Sequence, residues 1–176
     1  MFKATAICLV TLIALMPPGG AAQSPIRRMA LTFDDLPYSS NVREGWLDNA
    51  KRGTTQILST LNRYRAPAVA FVVEASLQAP GAAAEGRIAL LQQWLDAGMT
   101  LGNHSYSHPD FNTVTAEQFQ QEILKGEVVT RRLMAAQKKE LRYFRHPMTR
   151  TGNTREKKEA IETFLAARGY RVTPHT

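Results

Sequence analysis

Ala68-Val69-Ala70-Phe71-Val72-Val73 is an unbroken apolar run within a chain of 176 residues. Such a run is typical of a β-strand buried on both faces, as in a parallel sheet that is covered by helices. Amphipathic helical patterns lie on either side of it. The helix before the run is predicted from an apolar stripe that ends at Tyr64, and the helix after it is predicted to end at Gly98. The segment therefore predicts a βαβ unit in a parallel α/β sheet.

The same alternation continues along the rest of the chain. Thr115 and Gln118 form a capping-box pattern, which predicts a helix running to about Lys139. Thr154 is predicted to cap a last helix. Further strands are predicted at 29–33, 99–102, 141–145 and from 170 onward. This order predicts one domain with crossover helices, whose sheet is either open or closed into a barrel.

The first residues have the pattern of an export signal. Lys3 supplies a positive start, residues 4–16 are almost entirely apolar, and small residues favour cleavage after Ala22. The apolar stretch is shorter than the roughly 20 residues that span a bilayer. A retained anchor stays an alternative. We predict a signal peptide at 1–22 and a secreted or periplasmic domain at 23–176, with no stable membrane partner.

Composition limits the kinds of site and partner. Cys8 is the only cysteine, so a metal held by the mature chain needs nitrogen and oxygen ligands. Residues 125–171 carry 13 basic and 5 acidic side chains, a surplus that could attract cell-wall polymers or nucleic acid. No aromatic residues interleave with the basic pairs, as a stacking surface for nucleic acid requires. Solvated helix faces are the favoured interpretation, and no nucleic-acid partner is predicted.

Polar side chains stand where the predicted strands end. The carboxyl ends of parallel strands share one edge of a sheet, so these side chains are expected to lie close together. Glu74 follows the second strand and is expected to line the same cleft and to contact the substrate there. The others are Asp34 and Asp35 after the first strand, His104 and His108 after the third, and Arg145 at the end of the fourth.

Two imidazoles and a carboxylate are a common ligand set for catalytic zinc. We predict that Asp35, His104 and His108 hold a divalent ion, which would activate water and polarise a carbonyl group. Asp34 is predicted to be the base that accepts a proton. Arg145, if it reaches Asp34, would favour the ionised form of that carboxylate and fix its direction. Together these residues predict metal-assisted hydrolysis.

His146 lies directly beyond Arg145 in the sequence. Its imidazole could supply a third nitrogen ligand to the ion. Neighbouring side chains of an extended segment point to opposite sides, and Arg145 is expected to face the metal. A loop role for His146 is therefore favoured.

These motifs resemble the polysaccharide deacetylase (NodB-homology) family, whose members are metal-dependent N-deacetylases with a deformed (β/α) barrel. Thr32-Phe33-Asp34-Asp35 is similar to the first family motif, which contains the base and a metal ligand. His104-Ser105-Tyr106-Ser107-His108 is similar to the second motif, whose two histidines hold the ion. Phe144-Arg145-His146-Pro147 resembles the third, whose arginine steadies the base. The resemblance covers residues 29–172.

The resemblance implies a secreted hydrolase of non-peptide C–N bonds that removes acetate from N-acetylglucosamine polymers. Zinc is the expected ion, and an N-acetylated polysaccharide is the expected partner. Pro147 and Met148, at the third motif, are implied to contact that substrate. Two alternatives stay open. One is hydrolysis of a small non-sugar amide, and the other is an inactive remnant that binds carbohydrate without turnover.

The chain departs from the family pattern on its C-terminal side. Residues 148–152 replace an aromatic residue and a glycine that help to form the family's substrate groove. Nothing matches the fourth and fifth family motifs, and His175 lacks the context of the histidine that protonates the departing amine. The sequence is therefore interpreted as a C-terminally truncated barrel. It is expected to bind metal but to turn over slowly, because a general acid contributes about 10²–10⁴-fold.

Overall fold

A computed structural model describes residues 29–40 and 44–174. Strands and helices alternate along these residues, as predicted. Short 3₁₀ turns occur at Glu74–Leu77 and Pro147–Thr149. The strands are β1 (Leu31–Leu36), β2 (Ala68–Val72), β3 (Thr100–Asn103), β4 (Tyr143–Phe144) and β5 (Arg171–Val172), and the helices are α1 (Trp46–Arg63), α2 (Ala82–Asp96), α3 (Ala116–Lys125), α4 (Val128–Ala136) and α5 (Arg155–Ala167).

Two sequence predictions fall outside the described residues. They are the export signal at 1–22 and the assignment of His175, and both stay predictions. Among the helices that the structure describes, none has the length and apolar character needed to cross a membrane.

The five strands form one parallel sheet in the order β1-β2-β3-β4-β5. Because each neighbouring pair of strands is parallel, every strand ends at the same edge of the sheet. The apolar run identified first forms β2, and Ala70, Phe71 and Val72 are fully buried there. This confirms the prediction of a strand covered on both faces. The polar residues identified in the sequence lie at this shared C-terminal edge.

Helix α1 follows its predicted stripe except at the end. Ala50 and Leu61 are buried, whereas Tyr64 is 71% exposed. The helix ends at Arg63, and Tyr64 is its C-cap residue. Since Tyr64 lies beyond the last helical residue, its side chain does not continue the buried stripe.

The long helix predicted from Thr115 to about Lys139 is in fact two helices. The capping box is present, with the Thr115 hydroxyl accepting from the Gln118 amide at 3.2 Å. The break lies at Gly126, where an added Cβ would stand 2.4 Å from the carbonyl carbon of Ser105. The backbones approach so closely that only glycine fits, and the chain turns there before α4 begins.

Candidate metal centre

Asp35, His104 and His108 are brought together at the C-terminal edge of the sheet. Oδ1 of Asp35 lies 3.7 Å from Nε2 of His104 and 3.4 Å from Nε2 of His108. One donor atom from each residue lies within 4.8 Å of the others. Ligand atoms about 2.0–2.2 Å from a tetrahedral ion are about 3.3–3.6 Å apart. The donor spacing and the nitrogen and oxygen chemistry therefore fit a shared zinc-type cation.

The two aspartates face one cavity only because the strand is irregular. Adjacent residues of a regular strand point to opposite faces. Here the register of β1 on β2 shifts between Phe33 and Leu36. Asp35 has a φ of 60°, a left-handed conformation that aspartate tolerates better than most residues. As a result both carboxylates line a cavity of about 220 Å³, together with His104, His108, His146, Met148 and Thr149.

His104 is held in the state that a metal ligand needs. Its Nδ1 lies 2.8 Å from the carbonyl oxygen of Arg145. A carbonyl can only accept, so Nδ1 carries the hydrogen and the lone pair of Nε2 faces Asp35. Burial lowers the pKa of His104 below its usual value, although the bond to the Arg145 carbonyl opposes this effect. The imidazole is therefore favoured in its neutral form.

Hydrogen bonds fix the loop that carries the histidines. Ser105 and His108 have positive φ values of 68° and 59°. The Asn103 side-chain oxygen accepts from the Ser105 amide at 2.7 Å, and the Ser105 hydroxyl accepts from the His108 amide at 3.1 Å. Glu122 accepts from the amide and the hydroxyl of Ser107 at 2.7 and 2.8 Å. These bonds hold a strained backbone in place and so orient both imidazoles.

Sequence reasoning missed Asn103 and Glu122. Asn103 carries a recognisable signal, because it is a polar residue at the end of a buried strand and directly before His104. Glu122 carries none. It lies on α3, and only the tertiary fold brings it to Ser107.

A buried network of hydrogen bonds supports this loop through Asn103. The Asn103 side-chain amide donates to the Tyr170 hydroxyl at 3.1 Å, and that hydroxyl donates to Glu127 at 2.6 Å. Arg131 and Arg168 also donate to Glu127. Although burial opposes ionisation, these three donors hold the pKa of Glu127 below its usual value. The network thus links α4 and β5 to the strand that leads into the metal site.

Glu127→Gln is expected to lower the free energy of unfolding by about 1.5–3 kcal/mol at pH 7, because bonds to a charged group are lost. The pKa of Glu127 is depressed in the folded state. Its contribution is therefore present above the unfolded pKa of about 4.5 and is lost as pH falls below that value. Urea unfolding at pH 7 and below pH 4 measures the difference. The exposed Glu140→Gln is the control, and an equal effect of both variants would contradict the network.

Arg145 reaches Asp34, as its positioning role requires. Nη1 of Arg145 donates to Oδ1 and Oδ2 of Asp34 at 3.0 and 3.3 Å, and to the Thr32 hydroxyl at 2.9 Å. Nη2 donates to the carbonyl of Pro174 at 3.2 Å. The guanidinium carbon stands 4.6 Å from the centre of the Phe71 ring. These contacts fix the arginine on several sides and leave it no freedom to turn from Asp34.

The structure corrects the expectation for Glu74, which does not line the cleft. Its carboxylate is buried and accepts from the backbone amides of Val129 and Thr130 at 3.1 and 2.7 Å. These amides lie in the first turn of α4, where a negative charge is stabilising. A position at the end of a strand does not determine which way the side chain turns.

Pro147 and Met148, the other two residues expected to contact substrate, are placed differently from each other. Met148 is exposed and lines the cavity with the aspartates and histidines. Pro147 is buried and begins the 3₁₀ turn that presents Met148. Pro147 therefore supports the cavity wall, and direct contact with substrate is not expected of it.

His146 packs among aromatic rings. Its ring stacks on Phe119 and Phe111 with interplanar angles of 1° and 18°, and it meets Phe144 edge-on at 5.1 Å. It borders the cavity, yet the only donor cluster found among residues 29–40 and 44–174 comprises Asp35, His104 and His108. His146 lies between β4 and the 3₁₀ turn that begins at Pro147, which agrees with the loop role favoured from the sequence.

Comparison with known proteins gives a consistent result. A sequence profile described as polysaccharide deacetylase matches residues 21–166. Peptidoglycan-N-acetylglucosamine deacetylase PgdA of Listeria monocytogenes is 35% identical over 100 residues, covering 56% of this chain and 17% of PgdA. Peptidoglycan-N-acetylmuramic acid deacetylase PdaA of Bacillus subtilis is 33% identical over 95 residues, covering 51% of this chain and 34% of PdaA. The chain thus spans about a sixth and a third of these relatives.

A solved structure shows the same fold. A Streptococcus mutans CE4 esterase superimposes with a TM-score of 0.61 and 22% identity, over 82% of this chain and 54% of that one. At this identity the likeness concerns the fold alone. It confirms the predicted α/β architecture of the deacetylase type.

Proposed function

The chain belongs to the polysaccharide deacetylase family, and on that premise we propose that it hydrolyses the acetamide of N-acetylglucosamine-type polysaccharide with the help of a divalent metal. The observation that carries the proposal is the convergence of Asp35, His104 and His108, with the carboxylate of Asp34, which is not one of these donors, in the same cavity. PgdA, a relative, is named for action on N-acetylglucosamine in peptidoglycan. That name supports the substrate class.

The three donors would hold the ion, and zinc is favoured by their chemistry. When bound, the ion activates water and polarises the carbonyl oxygen of the substrate. Asp34 lies beside the donors and accepts the proton of the attacking water. Arg145 donates a hydrogen bond to this carboxylate and so fixes its orientation. The water oxygen adds to the carbonyl carbon to make the new C–O bond, and the C–N bond then breaks as the proton held by Asp34 passes to the departing amine nitrogen. The products are acetate and a free amino sugar.

Acetate release from a β-1,4-linked N-acetylglucosamine oligomer tests this proposal. The purified protein is assayed with zinc, after chelation and after zinc is restored. We expect release with the metal, loss on chelation and recovery on reloading. Release that survives complete chelation would contradict metal dependence. Sugar binding without any release would favour the carbohydrate-binding alternative.

We also propose that the protein is exported. The support is the charged start at Lys3, the apolar stretch 4–16 and the small residues before the expected cleavage after Ala22. The mass of the protein isolated from an exporting host measures the mature N-terminus. A protein that retains residues 1–22 would contradict cleavage.

A further inference from the structure

Tyr170 is a buried side chain that reaches the histidine loop through a single residue. It lies directly before β5 and is 6% exposed. Its hydroxyl donates to Glu127 at 2.6 Å and accepts from the side-chain amide of Asn103 at 3.1 Å. Since an ionised carboxylate can only accept, the direction of both bonds is fixed. Burial raises the pKa of the Tyr170 hydroxyl, which therefore keeps the proton that it donates.

Asn103 has a single orientation when Tyr170 is in place. Its side-chain amide donates to the carbonyl of Ile123 at 3.0 Å as well as to Tyr170, and its side-chain oxygen accepts from the Ser105 amide at 2.7 Å. Exchanging the nitrogen and oxygen positions would set donor against donor at Ser105. Because the residue is fully buried, water cannot replace a bond that is lost.

Asn103 holds the metal-binding histidines by two routes. Its side chain binds the amide of Ser105, whose hydroxyl accepts from the His108 amide at 3.1 Å. Its backbone carbonyl accepts from the Arg145 amide at 3.1 Å, and the Arg145 carbonyl in turn lies 2.8 Å from Nδ1 of His104. The directions of both imidazoles therefore depend on the position of Asn103.

The other end of the chain of bonds is held by two cations. Arg131 of α4 donates to Glu127 at 2.7 Å and to the Tyr170 hydroxyl at 3.4 Å. Arg168, the C-cap residue of α5, also donates to Glu127. Glu127 is thus fixed from two helices, and it fixes the Tyr170 hydroxyl in turn. The hydroxyl is in place before any metal binds, and such preorganisation lowers the cost of binding.

We propose that Tyr170 is a positioning residue for the metal centre, which acts on His104 and His108 through Asn103. Tyr170 does not line the cavity of the donor cluster, and its role is to keep Asn103 in the orientation that directs both imidazoles towards Asp35. The inference rests on the proposed function for the presence of the metal. It adds that the affinity for the metal is set in part by a tyrosine that binds neither metal nor substrate.

Zinc affinity, measured by competition with a chromophoric chelator, tests this inference without turnover. Tyr170→Phe is expected to weaken zinc binding by about 10-fold, the low end of the effect of residues that support metal ligands. The visible spectrum of the cobalt-loaded variant is expected to shift, because the ligand geometry changes. Asn103→Ala also weakens binding. The double variant is expected to bind zinc no more weakly than Asn103→Ala alone, since the hydroxyl then has nothing to act through.

Two controls separate positioning from a general loss of stability. Tyr143→Phe makes the same change on β4, outside this chain of bonds. Ile161→Val lowers stability in the buried part of α5 without changing any of these hydrogen bonds. Both are expected to keep the unmutated zinc affinity. Arg131→Met, at a side chain that is 42% exposed, is a second test variant and is expected to weaken zinc binding by about 3-fold.

Unchanged zinc affinity and cobalt spectrum in Tyr170→Phe, an equal loss in Ile161→Val, or additive losses in the double variant would overturn the inference. If Tyr170→Phe does not fold, unchanged affinity in Arg131→Met overturns it instead. An unmutated protein that binds no zinc would overturn both this inference and the proposed metal. Acetate release by the unmutated protein is read separately. Tyr170-dependent zinc binding without acetate release would sink the proposed function and leave the positioning role standing.

Discussion

Asp34→Asn is expected to lower kcat for acetate release by about 10²–10⁴-fold while zinc still binds with the same stoichiometry. An amide cannot accept the proton of the attacking water. Asparagine keeps the shape of the side chain and one oxygen that can accept from Arg145, so the cavity is retained. Asp34 lies outside the donor cluster, and its loss removes no ligand. Initial rates and a zinc titration of the same sample measure both effects.

Asp48→Asn on the exposed side of α1 is the control for Asp34. It makes the same chemical change at an exposed helix position outside the donor cluster and the cavity lining, and less than about a twofold change in rate is expected, as for most surface substitutions. If Asp34→Asn hydrolysed the oligomer at the unmutated rate, Asp34 would not be the base. If it lost zinc instead, Asp34 would have to be a ligand.

Asp35→Asn is expected to weaken zinc binding by at least about 100-fold. Mutating a residue that only hydrogen-bonds to a metal ligand already lowers metal affinity by about 10–100-fold, and Asp35 is expected to be a ligand itself. Acetate release should disappear at zinc concentrations that saturate the unmutated protein. Asparagine tolerates the positive φ of this position, so a folding defect is not the expected cause. Zinc competition with a chromophoric chelator measures the affinity.

Adjacent aspartates with one identical substitution form a matched pair. Asp34→Asn should lose turnover and keep the metal, whereas Asp35→Asn should lose the metal and therefore turnover. A circular dichroism melt of each variant excludes loss of fold. Equal zinc affinity in the two variants would show that Asp35 has no special role in binding the ion.

Much of this site could be predicted from the sequence, because the C-terminal ends of parallel strands lie side by side at one edge of a sheet. Asp35 and His104, which are 69 positions apart in the sequence, meet for that reason. The capping box at Thr115 was equally readable, since it depends on residues three apart. Features that depend on local spacing or on strand order could therefore be predicted.

Features that depend on distant backbone contacts could not. The helix break at Gly126 follows from its approach to Ser105, about twenty residues away, and nothing in the local pattern indicates it. The irregular backbone at Asp35 turns two neighbouring carboxylates to one side, against the alternation of a regular strand. Glu74 shows the reverse case, in which a residue at a strand end turns inward to stabilise the start of α4.

Gly53 is unfavourable for helix formation, and the tertiary packing explains why it is nevertheless present in α1. In the sequence, a glycine in the middle of α1 weakens the prediction of a helix. In the structure, the space it leaves is taken by the Tyr38 ring beside the metal centre. The cost to the helix is offset by the packing of an aromatic ring beside the metal centre.

A crystal structure of the zinc-loaded protein with anomalous diffraction at the zinc edge tests the shared metal site most directly. We expect a single strong peak about 2.0–2.2 Å from a carboxylate oxygen of Asp35 and from Nε2 of His104 and His108. A peak held by His146 in place of any of these three donors, or no peak near them in fully loaded crystals, would contradict the site.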